Sequence, residues 1–143
     1  MALKGFRLQN TFLTILEAPN TGNIDPDTGS NFTEDKTFAV TSLIVCNNSS
    51  TDTAYFDMHL VPNGQPIADG TNPGLGNTRV INNLELTAEE TFTFDTEKIV
   101  LAPGDKLVLF AQPQDGADYQ PDPPSGPIYK LTNLGAVLSY LEV

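Results

Sequence analysis

From Thr53 to Val61 the side chains alternate, with Phe56, Met58 and Leu60 to one side and Tyr55, Asp57 and His59 to the other. A two-residue period describes a strand with one face buried and one face toward solvent, and it does not fit an amphipathic helix with its 3.6-residue period. Other segments repeat the pattern. Thr37 to Cys46 sets Phe38, Val40, Ile44 and Cys46 against Ala39, Thr41, Leu43 and Val45, and its β-branched content predicts a strand buried on both faces at its end. Thr78 to Leu86 sets Val80, Asn82, Leu84 and Leu86 against Arg79, Ile81, Asn83 and Glu85. Thr91 to Asp95 alternates so as to bury Phe92 and Phe94. The preceding Thr87-Ala88-Glu89-Glu90 satisfies a helix capping-box pattern, but the alternation that follows favours a type I turn.

Proline and glycine divide these segments. The chain has 143 residues with 11 Gly and 11 Pro. Many of them fall in two stretches, Pro62 to Gly76 and Gln112 to Pro127, which read as long loops because proline has no N–H to give a central ladder. Pro19 to Lys36, rich in Asn, Thr, Gly and Asp, reads as a third loop or an exposed hairpin. Phe6 to Leu16 predicts one or two short strands ending at Ala18-Pro19. Ile99-Val100-Leu101 leads to Ala102-Pro103-Gly104-Asp105, a type II turn, and Lys106 to Ala111 forms the returning strand. Ile128 to Val143 carries Leu131, Leu134, Leu138 and Leu141 at helical spacing. Gly135 and the β character of the rest decide for a final strand. The expectation is one all-β domain over residues 1–143, an antiparallel β-sandwich or jelly roll of about seven to nine short strands, with residues 1–10 as a possible extended N-terminal arm.

Charge limits the partners. Seven basic against 18 acidic residues leave −11 at neutral pH, which disfavours nucleic acid as a partner because such binding rests on clustered Lys and Arg. The N-terminus carries no apolar signal core, and no apolar run is long enough to span a bilayer, so a soluble protein made in a cytoplasm is expected. A single cysteine, Cys46, lies in the apolar run Leu43-Ile44-Val45-Cys46 and reads as a buried small hydrophobe rather than a nucleophile, since the only histidine, His59, lies in another segment. Asn31, Asn47 and Asn48 begin N-x-S/T sequons that read as turn markers.

Four groupings could carry chemistry, and each has a plainer reading. Asn23-x-Asp25-x-Asp27-x-Gly29 with Glu34 echoes a calcium loop. Thr28 holds the sixth position where that loop needs glycine, and Pro26 stiffens the middle, so the segment reads as a turn. Glu89, Glu90, Asp95 and Glu97 read as a solvated face rather than an acid/base pair. Tyr119, Tyr129 and Tyr140 read as loop anchors more readily than as an adhesive surface. His59 beside Asp57 reads as a surface residue. No catalytic, metal or cofactor site is expected.

Four stretches, in this order, carry a resemblance. They are Val40-Thr41-Ser42-Leu43-Ile44-Val45-Cys46-Asn47-Asn48, then Phe56-Asp57-Met58-His59-Leu60-Val61-Pro62-Asn63-Gly64, then Ile99-Val100-Leu101-Ala102-Pro103-Gly104-Asp105-Lys106-Leu107, and the terminal Leu138-Ser139-Tyr140-Leu141-Glu142-Val143. Thr37 to Val143 in this way resembles the small β-sandwich virion proteins of tailed bacteriophages, with Pro19 to Lys36 and Gln112 to Pro127 as insertions. The resemblance implies a non-enzymatic structural protein of the virion. Decoration or cement of the outer capsid surface is the first expectation, with a neck, tail or tail-fibre component as the alternative. Partners would be the major capsid protein or other virion proteins, and the chain would be a homo-oligomer, with a trimer favoured. A carbohydrate-binding or adhesive module is the alternative from another class, weakened by the absence of Trp and the presence of only 4 Tyr.

Overall fold

The computed structural model describes residues 2–9, 13–65, 79–94, 99–111, 119–121 and 128–143. These form ten strands: β1 (Ala2–Gln9), β2 (Leu13–Glu17), β3 (Phe38–Asn47), β4 (Ala54–Val61), β5 (Arg79–Leu86), β6 (Thr91–Phe94), β7 (Ile99–Leu101), β8 (Lys106–Ala111), β9 (Tyr119–Pro121) and β10 (Ile128–Glu142). No helix occurs among the described residues, and the terminal segment is one 15-residue strand that runs through Gly135.

Two antiparallel sheets result. In the first the order is β1-β10-β3-β6, with β7 pairing farther along β3 and β9 pairing the start of β10; in the second it is β2-β8-β4-β5. The pairings β1 with β10, β2 with β8, β3 with β6 and β7, and β4 with β5 are the rungs of one long antiparallel ribbon. Wrapped over itself, that ribbon makes the two sheets of a jelly roll, so the expected fold class is observed. The core lies between the sheets, where Leu8, Ile15, Leu43, Phe56, Leu107 and Leu134 are fully buried. Phe92 of β6 closes one side against Phe56, edge to face at 5.7 Å between ring centroids, a pairing worth about 0.5–1.5 kcal/mol beyond its area.

Residues 2–9 do not project as an arm. They pair with β10 from Ala2↔Tyr140 to Gln9↔Leu131, because the 15-residue β10 is long enough to carry β1 on one side and β3 on the other. On β3, burial of both faces occurs at the start, where Ala39 and Val40 are both buried, and not across Leu43–Cys46. The register shift at Ser139/Tyr140 rotates the strand there, after which Leu43 and Val45 point inward and Ile44 outward.

The facing expected for β5 fails at its middle. Ile81 and Leu84 both pack on the core while Val80 is exposed, because the pairing with β4 shifts between Phe56↔Leu84 and Met58↔Ile81. Asn83 in that bulge has φ 51°, a left-handed conformation that Asn tolerates better than most residues. The β5–β6 connection is a turn with Glu90 N–H bonded to Thr87 C=O at 3.0 Å, but Glu89 at its third position has φ 65°. A positive φ there makes it type II rather than type I. The turn before β8 follows expectation, with Gly104 at φ 91° and Asp105 N–H on Ala102 C=O at 2.9 Å. It is zipped to the end of β2 by Gly104 N–H to Ala18 C=O and Ala18 N–H to Asp105 C=O.

Candidate functional site

The outer face of the first sheet is built by strand alternation alone. With Leu8, Leu43, Val45 and Leu138 turned inward, the opposite positions of β1, β10, β3 and β6 carry Leu3, Gly5, Arg7, Gly135, Val137, Ile44, Cys46, Thr91 and Thr93. Gly5↔Val137↔Ile44↔Thr93 is one row across all four strands. Leu3 at 71%, Val137 at 47% and Ile44 at 39% exposure place large apolar side chains in solvent on this face, with Arg7 its sole charged member among those positions. Among the described residues these positions form a nearly uncharged band bearing large apolar side chains, on a molecule of net charge −11.

At the rim of this face, Lys4 of β1 points the other way. Its Nζ lies 2.7 Å from Asp27 Oδ2 and 5.9 Å from the centre of the Tyr140 ring. Tyr140 in turn packs on Phe38 at 4.9 Å, so of the three tyrosines singled out, this one is an anchor between sheet and loop. The side chains of Tyr119 and Tyr129 lie outside the described residues. Beneath the rim a cavity of about 160 Å³ is lined by Lys4, Glu17, Asp27, Phe38 and Tyr140 among others.

The segment with calcium-like spacing is a turn. Asp25 Oδ1 accepts the N–H of Asp27 at 2.9 Å, Asp25 C=O accepts the N–H of Gly29 at 2.8 Å, and an isolated bridge joins Ile24 to Asn31. Asp27 is engaged with Lys4, and no group of three acidic, His or Cys side chains among the described residues is arranged to hold a metal ion. Asp35 fixes the base of the loop by accepting the Thr21 N–H and hydroxyl, which hold its carboxyl below the usual range. Glu90 is held low in the same way, first by the Thr87 N–H and then by the Thr87 hydroxyl. Both Glu89 and Glu90 are exposed, and Asp95 and Glu97 lie outside the described residues.

Cys46 and His59 do not meet. Cys46 is on the outer face of the first sheet, partly exposed rather than buried, because the alternation set by Val45 turns it outward. His59 is on β4 in the second sheet, on the side turned away from the core residues Phe56 and Met58. The two therefore occupy opposite outer sides of the sandwich. His59 and Asp57 are nonetheless buried, at 1% and 3% exposure, so the surface reading of this pair is corrected. The signal was in the partner strand: Val108 and Phe110 oppose His59 and Asp57, and the unbroken apolar run Leu107 to Ala111 marks a strand covered on both faces. Asp57 accepts the backbone N–H of Asn83 and so holds the β5 bulge.

The sequon marks Asn47 only as a turn residue and nothing local marks Glu17, yet both are buried polar residues. Asn47 ends β3 with its Nδ2 donating to the carbonyls of Asp52, Leu86 and Thr87 and its Oδ1 accepting the Ser49 N–H, which ties three segments together. Glu17 ends β2 opposite Lys106, whose Nζ is 3.3 Å from Oε1, while Oε2 is buried with no hydrogen-bond partner. Beside them an open cleft carries Asn23, Asn63 and Gln65 along with Glu17 and Lys106.

The fold and the face thus define a two-sheet jelly-roll sandwich with an exposed apolar band. Comparison with protein-family models, with curated proteins and with solved structures finds no match.

Proposed function

We propose that this chain is a structural, non-enzymatic protein of a tailed-phage virion, a decoration or cement subunit bound to the outer capsid surface after synthesis in the host cytoplasm. The apolar band Leu3, Val137 and Ile44 on an otherwise acidic sandwich carries this reading. Such a band favours a protein partner over solvent. The net charge of −11 disfavours a position facing packaged DNA and suits an exterior one. Several polar groups that could suggest catalysis are engaged in structure: Asp57 holds a bulge, Asn47 joins segments and Asp25 closes a turn. Placement at the neck, tail or fibre is the alternative within the same class. Antiserum against the purified protein, applied to particles from a lysate of the source strain and viewed by immunogold microscopy, tests this. Label over the capsid shell is expected, label at the neck or tail selects the alternative, and particles without label contradict both.

The cleft holding Glu17, Asn23, Asn63, Gln65 and Lys106 favours a second reading, a carbohydrate-binding or adhesive module, because carboxylate and amide side chains match sugar hydroxyls. Its apolar lining is the exposed Ile24 rather than an aromatic platform. Specific binding on a glycan array, abolished by Asn63→Ala, would decide for it.

A further inference from the structure

Among the described residues, Glu17 is the one residue that lines both the cavity of about 160 Å³ beneath the β1 rim and the open cleft beside it. Its side chain is buried, at 4% exposure, and its two carboxyl oxygens differ in their partners. Oε1 lies 3.3 Å from Nζ of Lys106, a residue of the cleft, while Oε2 has no hydrogen-bond partner. A buried carboxylate oxygen without a donor is costly, so one that borders a cavity favours a donor brought in from outside the chain.

The rest of the cavity wall is both acidic and aromatic. Asp25 and Asp27 add two carboxylates to that of Glu17, and Phe32, Phe38 and Tyr140 contribute rings. Two ammonium groups stand against these three carboxylates: Lys4, 2.7 Å from Asp27, and Lys106 at Glu17. One negative charge is left over. Asp25, whose Oδ1 accepts the Asp27 N–H, is the carboxylate without an ion pair among the described residues. Lys4 shows what this wall accepts, because its Nζ sits between Asp27 Oδ2 and the Tyr140 ring, 5.9 Å from the ring centre.

These unmet groups select the chemistry of a ligand. The carboxylates do not converge as a metal ion requires, since no group of three acidic, His or Cys side chains among the described residues is so arranged. A quaternary ammonium would suit the rings but gives Oε2 no donor. A neutral alcohol gives a donor but leaves the charge. A primary ammonium on a short alkyl chain supplies the N–H, the charge and methylenes to lie against the rings. The terminal torsion of a glutamate is broad, so Oε2 turns to such a ligand at little cost.

We infer that this cavity binds a primary alkylammonium group, with Glu17 Oε2 accepting its N–H, Asp25 balancing its charge and Phe32 and Phe38 flanking its alkyl stem. The inference goes beyond the virion-subunit reading and does not rest on it.

The test is an NMR titration of the isotope-labelled full chain with n-butylammonium chloride at constant ionic strength, read at the Glu17 and Asp25 carboxyl carbons and the Phe32 and Tyr140 rings. Saturable shifts at these groups are expected, with a dissociation constant of about 1 mM or below. Butanol, tetramethylammonium and calcium should each bind at least about tenfold more weakly. Glu17→Gln should weaken butylammonium at least about tenfold, and Lys4→Ala, which releases Asp27 at the rim, should tighten it. No saturation by about 20 mM, tetramethylammonium or calcium binding as tightly at the same groups, or a folded Glu17→Gln that binds like the wild type overturns the inference. If Glu17→Gln does not fold, the wild-type spectra decide: shifts at exposed carboxylates with the Glu17 carbon unmoved overturn it. Putrescine and Nα-acetyl-lysine methylamide then separate the two sources of such a group, the tighter binder assigning the site to a free amine or to a lysine side chain.

Discussion

The buried carboxylate of Asp57 on β4 accepts the backbone N–H of Asn83, the left-handed residue of the β5 bulge. The bulge re-aims β5 so that Ile81 and Leu84 both reach the core, and Asp57 secures the displaced backbone. Asp57→Ala leaves that N–H without its carboxylate and is expected to cost about 1–3 kcal/mol in urea unfolding. Asn83→Val should cost about 1–2 kcal/mol through its positive φ, and Asn83→Gly much less.

Asn47→Ala removes a side chain that serves three carbonyls and one N–H at the end of β3. The expected loss is about 3 kcal/mol, the range for a buried polar network member, read as a lower denaturant midpoint. Ser49→Ala removes only the acceptor for the Thr51 and Asp52 amides and should cost less than half as much.

Gly104→Ala combines two penalties. The residue lies at φ 91°, and an added Cβ would come within 2.3 Å of the Asn63 side chain. Gly22, at φ 93°, has open space around it, so Gly22→Ala carries the backbone penalty alone. Thermal melts should show a drop of about 1–2 kcal/mol at Gly22 and a larger one at Gly104, with part of the difference recovered by Asn63→Ala.

Glu90 has its folded-state pKa depressed by Thr87, so its contribution to stability is present above the ordinary carboxylate range and is lost as pH falls through the depressed value. An NMR titration of the Glu90 carboxyl should show a midpoint below that of an unstructured glutamate. Thr87→Ala keeps the N–H donor and loses the hydroxyl, so it should move the midpoint only part of the way back. A midpoint unaffected by Thr87→Ala would contradict this pairing.

Strands were legible where alternation ran without a break, as on β4, and turns where a fixed φ was required, as at Gly104. What alternation conceals is a change of phase. The bulges at Asn83 and at Ser139/Tyr140 invert which residues face inward, and nothing local in the sequence fixes where they fall. Burial of Asp57 and His59 depended on the far side of β8, a tertiary fact that a single strand does not carry. The candidate face was missed because its members, Leu3, Val137 and Ile44, are distant in sequence and meet only through the registers of β1, β10 and β3.

The role of that face as a docking surface is tested most directly by co-sedimentation of the purified protein with phage particles from the source strain. Saturable binding at a fixed number of copies per particle is expected for the wild type, with Val137→Asp and Ile44→Asp folded but at least about tenfold weaker. Wild-type protein left wholly in the supernatant, or binding untouched by both substitutions, would contradict it.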